Sequence, residues 1–208
     1  MDTVILAAGD FPKKGGAAWK LLAAATRVVA CDSAADAYRR AFRKWPNVII
    51  GDLDSVRART VPCRVIYDAD QNTNDLEKAM AYCAKQGWRK PVIVGATGKR
   101  EDHAIGNVFR ALDYGCEIVT DTGSFVHVRG KATFKVSKGA AVSIFAPDPK
   151  TRMTSKGLEW PLDGVRFRNL YCATLNRTTA ARIRLTATRP VSVFFVSPDR
   201  SRQISKVF

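Results

Sequence analysis

Short β-branched apolar runs alternate with amphipathic stretches through the first 120 residues. Runs at 4–8, 27–31, 47–50, 64–67, 91–95 and 117–120 predict strands, and helical patterns over 17–25, 34–44, 73–86 and 103–114 predict the helices between them. In the third helix Leu76, Ala79, Met80 and Cys83 recur at i, i+3, i+4 and i+7, so one face is apolar. Apolar strands separated by helices belong to a mostly parallel sheet covered on its faces. Past Thr120 the helical period stops. Val126 and Val128, Phe134 and Val136, Val142 and Ile144, Ile183 and Leu185, and Val193 and Phe195 each alternate with mostly polar neighbours, as in antiparallel strands. The expected fold is therefore α/β plus all-β: a mostly parallel α/β sheet domain over 1–122, then an antiparallel β-sandwich or barrel domain over 123–208.

Composition narrows the class. A chain of 208 residues, 46% of them hydrophobic, can bury a core without staples. The opening MDTVILAAGD has no basic segment before its apolar run, and no stretch approaches the roughly 18 consecutive apolar residues of a membrane span, so no membrane partner is expected and the expected compartment is the cytoplasm. Cys31, Cys63, Cys83, Cys116 and Cys172 are widely spaced, with no C-x-x-C pair, and read as reduced thiols. The net charge of +15 is uneven: residues 1–120 carry 18 basic and 14 acidic side chains, residues 121–208 carry 16 and 5. Such a surplus suits nucleic acid, a polyphosphate substrate or plain solvated surface. With neither an RNP-type aromatic strand nor a zinc-finger spacing, nucleic acid is not the expected partner.

Ligands of open parallel sheets bind beyond the carboxyl ends of the strands, and aspartates collect there. Asp32 follows RVVAC, Asp52 and Asp54 follow NVIIG, and Asp68 and Asp70 follow RVIY, with Asp75 opening the next helix. Two carboxylates one residue apart, as in GDLDS, can share a hard cation such as Mg2+; the same pair also suits a turn. In DQNTNDLEKAM, Asn72, Thr73 or Asn74 can cap the helix, and Asp75 and Glu77 offset its dipole, with Lys78 one turn on. The segment GATGKREDHAIGN, from Gly95 to Asn107, joins a strand to a helix with two glycines, Lys99, Arg100, Asp102 and His103, a composition suited to an anion although not a Walker A loop. Phosphoryl-type transfer needs metal, positioning and cations, and these three segments supply such groups. There is no G-x-S-x-G and no G-x-G-x-x-G.

In order and spacing these segments resemble the thiamine pyrophosphokinase family, whose pattern has D-G-G, G-D-x-D-S, D-x-[DN]-x-T-D-x-x-K-A-[LM] and G-G-R-x-D-H. The corresponding residues read CDSA, GDLDS, DQNTNDLEKAM and TGKREDH. GLEWPL, at residues 157–162, is similar to the family's G-L-x-W-x-L. Ser33 and Ala34 replace the glycine pair, Asn74 a threonine and Lys99 a glycine, while Ala173-Thr174-Leu175-Asn176 stands for S-x-S-N. The resemblance implies ATP as co-substrate, thiamine as acceptor, Mg2+ as cofactor, and a homodimer with the acceptor site between subunits. It implies Asp52, Asp54 and Asp75 as metal ligands that also orient the hydroxyl, with Arg100 neutralising phosphate charge and Asp102 fixing its neighbours. Asp32, Ser33, Lys78, Thr97, Gly98, Lys99, Arg100, His103 and Asn107 would hold ATP; Gln71, Trp160, Thr174 and Asn176 would hold thiamine, Trp160 by stacking unless it is a core aromatic of the sandwich. Two other readings remain: a diphosphokinase for another heteroaromatic alcohol such as 6-hydroxymethylpterin, and a basic RNA-binding protein on a degenerate enzyme fold.

Overall fold

The computed structural model describes residues 3–52, 61–70, 72–196 and the backbone of 205–207. The chain divides into two compact units, Met1–Asp121 and Thr122–Phe208.

The first unit carries strands β1 (Thr3–Leu6), β2 (Arg27–Cys31), β3 (Val48–Gly51), β4 (Arg64–Tyr67), β5 (Val92–Val94) and β6 (Ile118–Val119). Helices α1 (Ala17–Ala24), α2 (Ala34–Phe42), α3 (Asp75–Lys85) and α4 (Glu101–Tyr114) alternate with them. The order across the sheet is β4-β3-β2-β1-β5-β6, every pairing parallel. β1 and β3 are buried at every position because helices cover both faces, and this is why they read as unbroken apolar runs. β4, at the edge, is only partly covered. On α3 the predicted stripe of Leu76, Ala79, Met80 and Cys83 is buried throughout, each large side chain contributing about 1.5–3 kcal/mol of transfer free energy. Asn74 caps this helix, its side chain accepting from the Glu77 N–H at 2.9 Å. α4 starts two residues earlier than its apolar period suggests, since Glu101 and Asp102 complement the positive end of its dipole.

The second unit is the predicted antiparallel sandwich, made from two bent strands. β7 (Gly123–Lys135) and β11 (Arg182–Val196) pair along almost their whole length, with a register shift between Ala187 and Val191. One half of β11 also pairs with β8 (Ala141–Phe145), whose other neighbour is β10 (Ala173–Arg177). The other half pairs with β9 (Met153–Lys156), and the far end of β7 pairs with β12 (Ser205–Val207). The bend falls at Gly130, with φ +74°, and opposite Pro190. Both halves turn their alternating apolar residues, among them Val128, Phe134, Ile144, Leu185 and Phe195, into one core.

Between β1 and β5 the strand order reverses, because α3 carries the chain from the edge at β4 back to the middle. The loops leaving these two strands are tied together: Gly9 N–H donates to Gly95 O at 2.8 Å and Asp10 N–H to Thr97 O at 2.8 Å. A Cβ on Gly9 would lie 2.5 Å from both Gly95 O and Thr97 O, and neither backbone atom can swing aside. Gly9→Ala should therefore lower stability by about 1–3 kcal/mol. A thermal melt matching that of the parent chain would show that the two loops are not held this closely.

Candidate active site

Where the strand order reverses, open α/β sheets bind ligands. Here a cleft of about 480 Å3 opens beyond β1, bounded by Ala7–Gly9, by Lys99 and by the start of α2. Ser33 and Ala34 at the first turn of α2 face it, so that helix's positive end points into the cleft together with the side chains of Arg40 and Lys99. Lys99 has φ +57° and its Nζ donates to Ala8 O at 2.7 Å, closing the loop after β5 over the loop after β1. Gly98, at φ +80°, leaves the room that the Asp10 carboxylate occupies. The combination suits a polyphosphate: a helix terminus and two cations, Arg40 and Lys99, share one concavity, with Asp36 also in its lining.

A cluster of carboxylates stands at the ends of β2 and β3. Gly51 is its centre: a Cβ there would lie 3.1 Å from Asp32 Cβ and 3.4 Å from Asp75 Oδ1. Asp32, at φ +43°, is buried directly after β2, and Asp52 follows Gly51. Asp75 has its carboxyl pushed above the ordinary aspartate range, first by burial, then by the charges of Asp32 and Asp52, with Lys78 pulling the other way. The Lys78 side chain is only 5% exposed; its Nζ donates to Asp68 O at 2.7 Å and stands 3.6 Å from Asp75 Oδ1. One buried ammonium thus faces several gathered carboxylates. Nearby Asp70 accepts from Asn72 N–H at 2.9 Å and from Thr73 Oγ1 at 3.1 Å, bonds that hold its carboxyl below the usual range. Among the described residues no group of three His, Cys, Asp or Glu side chains is arranged as a ready metal cage.

The remaining predicted residues fall around these two features. Thr97 and Gly98 form the turn after β5. Asn107 on α4 donates to Ala96 O at 2.9 Å and meets Asn74 at 3.3 Å, so α4, α3 and the β5 loop share one polar seam. Arg100 is held by Asp102, its Nε 3.1 Å from Oδ1, on an exposed surface beside His103; this pairing lowers the Asp102 carboxyl to about 2. Asp54 and Gln71 lie outside the described residues. Sequence reasoning passed over Gly9, Asp36 and Arg40. Gly9 falls just past the predicted strand at 4–8 and gave no signal of its own, whereas Asp36 and Arg40, spaced i and i+4 on α2, carried the signal of a shared helix face.

In the second unit a shallow cleft of about 420 Å3 is lined by Trp160, Leu162, Val165, Thr174, Leu175 and Asn176. Trp160 is 54% exposed, so it is a rim residue and not a core aromatic of the sandwich. Asn176 is buried and fully engaged: Oδ1 accepts from the N–H groups of Trp160 at 3.2 Å and Arg177 at 2.8 Å, and Nδ2 donates to Trp160 O at 2.7 Å. It fixes the backbone that carries the indole. Thr174 Oγ1 donates to Tyr171 O at 2.9 Å. Leu175, at φ +62° on an irregularity between β10 and β8, is 83% exposed.

Comparison with known proteins agrees across both units. A family profile described as the thiamin pyrophosphokinase catalytic domain matches residues 18–120, and one described as the thiamin pyrophosphokinase substrate-binding domain matches residues 123–194. Thiamin pyrophosphokinase 1 of Caenorhabditis elegans is 31% identical over 78 residues, which are 34% of this chain; the match spans 32% of that relative's length. The fold is that of solved thiamine pyrophosphokinases from Bacillus subtilis (TM-score 0.73, 16% identity, 95% of this chain and 100% of that one) and Geobacillus thermodenitrificans (TM-score 0.76, 22% identity, 95% and 98%). The yeast enzyme has a TM-score of 0.72 at 12% identity over 94% and 86%.

The carboxylate cluster makes a titration prediction. Because burial and two like charges raise Asp75, its carboxyl should titrate by NMR above the ~3.9 of a free aspartate. Its ionisation then costs stability as pH rises from the unfolded to the folded pKa, the reverse of an ion-paired aspartate. Removing the ammonium in Lys78→Gln should move the titration higher still. A midpoint at or below the free value, or a downward move in the variant, would contradict the described crowding.

Proposed function

We propose that this chain, which belongs to the thiamin pyrophosphokinase family, transfers the terminal diphosphate of ATP to the hydroxyl of thiamine, giving thiamine diphosphate and AMP. The observation that carries this reading is the pairing, within one unit, of a cleft holding Arg40 and Lys99 with a carboxylate cluster at the adjoining strand ends. The first unit would bind ATP. Ser33, Thr97, Gly98, Lys99 and Asn107 form or brace the loops around the triphosphate, with His103 and Arg100 at the rim and Lys78 balancing the acids. Arg40 extends the cationic lining.

Asp52 and Asp75 fit a magnesium ion, since an all-oxygen donor set of one or two carboxylates completed by phosphate oxygens is what that ion takes, and Asp54, outside the described residues, is the third expected ligand; bound there, the ion would supply charge neutralisation to the phosphates. Asp32 adds negative charge to this seat. The carboxylates orient the acceptor hydroxyl, and Asp102 keeps the Arg100 guanidinium extended until a phosphate competes for it. In the second unit Trp160 offers an exposed indole face to a flat cationic ring, as cation–π and stacking contacts require. Asn176 positions that indole, and Thr174 and Gln71 complete the expected thiamine contacts.

Trp160 and Leu175 are exposed on one cleft, and Leu170 and Tyr171 are exposed close by in sequence; apolar side chains left open in this way support a homodimer that closes the acceptor site. Among the described residues no helix is long and apolar enough to cross a membrane; a cytoplasmic location is part of this proposal. The family match favours neither a hydroxymethylpterin acceptor nor a degenerate RNA-binding role in place of catalysis.

Incubation with Mg-ATP and a panel of alcohols tests the reading: AMP should appear with thiamine and not with 6-hydroxymethylpterin, and the reverse preference would replace the acceptor. Trp160→Ala should raise the KM for thiamine about tenfold, equivalent to about 1.4 kcal/mol, with the ATP KM and the melting temperature unchanged. Equal losses towards both substrates, with a lower melting temperature, would make Trp160 a structural residue.

A further inference from the structure

One face of the second unit has no part in that chemistry. Where β7, β11 and β9 run side by side, the residues pointing away from the core are Lys131, Lys135, Lys156, Arg182 and Arg184, interleaved with Thr133, Thr154 and Thr186. The register sets Arg182 directly opposite Lys135, and Arg184 directly opposite Lys156. None of the five cations makes an ion pair with a described residue, and no described acid belongs to this face. Like charges placed opposite one another on a sheet destabilise it. Lysine on an edge strand guards against edge-to-edge pairing, which accounts for Lys156 on β9 but not for Arg184 on β11, which is paired with both β7 and β9.

We propose that this sheet face is a binding surface for the phosphate backbone of double-stranded nucleic acid, a function separate from diphosphate transfer. Strands about 4.8 Å apart and alternate residues about 6.7 Å apart set the five cations within roughly 10 by 13 Å. A duplex presents a negative charge every ~1.7 Å of its axis, so it can meet all of them at once. Across β7, β11 and β9 the face carries only Lys, Arg and Thr: these strands offer no aromatic ring to stack on the bases of a single strand and no apolar side chain to enter a lipid surface. Threonine hydroxyls and arginine forks are phosphate donors. Recognition is therefore independent of base sequence, which is why a chain without base-reading motifs can have it.

Fluorescence anisotropy of the full chain with a labelled 20-base-pair duplex, in the absence of ATP, tests this. Binding should fall with salt at a log–log slope of about −4 to −5, from about 0.9 per phosphate neutralised. Lys135→Thr with Arg182→Thr should make the slope shallower by about 2 while AMP formation is unchanged. If that variant melts early, Lys131→Thr with Lys156→Thr makes the same comparison. No duplex binding at 50 mM salt, a slope unmoved by either variant, or binding to anionic phosphatidylserine vesicles but not to duplex would each overturn the proposal. The binding results do not depend on thiamine turnover.

Discussion

Crowding of carboxylates about Gly51 is the constraint on which the first unit is built. A glycine suits this point because its φ of +153° would strain any other residue, and a Cβ would crowd Asp32 at the end of β2, 3.1 Å away, and touch Asp75 at the start of α3. Three elements must end at one point for this to happen. β2 is followed by Asp32 with positive φ, β3 stops in glycine, and α3 begins at a cap whose asparagine also reaches α4. Gathered like charges in a partly dry site are unfavourable unless cations answer them. Lys78, nearly buried and anchored to Asp68 O, answers part of that charge.

The cleft beyond β1 is complementary to this cluster. Beyond β1 the lining turns cationic, with Arg40, Lys99 and the positive end of α2. Acidic and basic features therefore stand at neighbouring strand ends of one sheet, set there by the reversal of strand order between β1 and β5. A nucleotide triphosphate bridging them would meet cations along its chain and carboxylates where a metal-bound phosphate belongs. Group transfer of this kind rests on positioning and charge compensation more than on a strong base, consistent with a site poor in candidate acid–base residues.

The fold class was legible because burial leaves a period in the sequence. The stripe Leu76, Ala79, Met80 and Cys83 is buried as its spacing predicts, and so are the alternating Val126, Val128, Val193 and Phe195. Polar geometry was less legible. Asn74 could not be told from Asn72 or Thr73 as the cap until the helix start was known. Asn176 carries a side chain suited to a ligand, yet hydrogen bonds to the backbone of Trp160 and Arg177 use its amide. Gly9, Asp36 and Arg40 reach one cleft only because β1 and β2 are neighbours, a fact of topology that no local pattern encodes. The bend that lets β7 and β11 serve both layers of the sandwich likewise depends on long-range pairing.

The central claim is diphosphate transfer through attack on the β-phosphorus of ATP, and the fate of the oxygen bridging the α- and β-phosphorus atoms tests it most directly. ATP carrying 18O at that bridge, turned over with thiamine and magnesium and followed by 31P NMR, should deliver the label to AMP, because the bond broken is the one between the bridging oxygen and the β-phosphorus. Label retained in thiamine diphosphate, or ADP in place of AMP, would contradict the account.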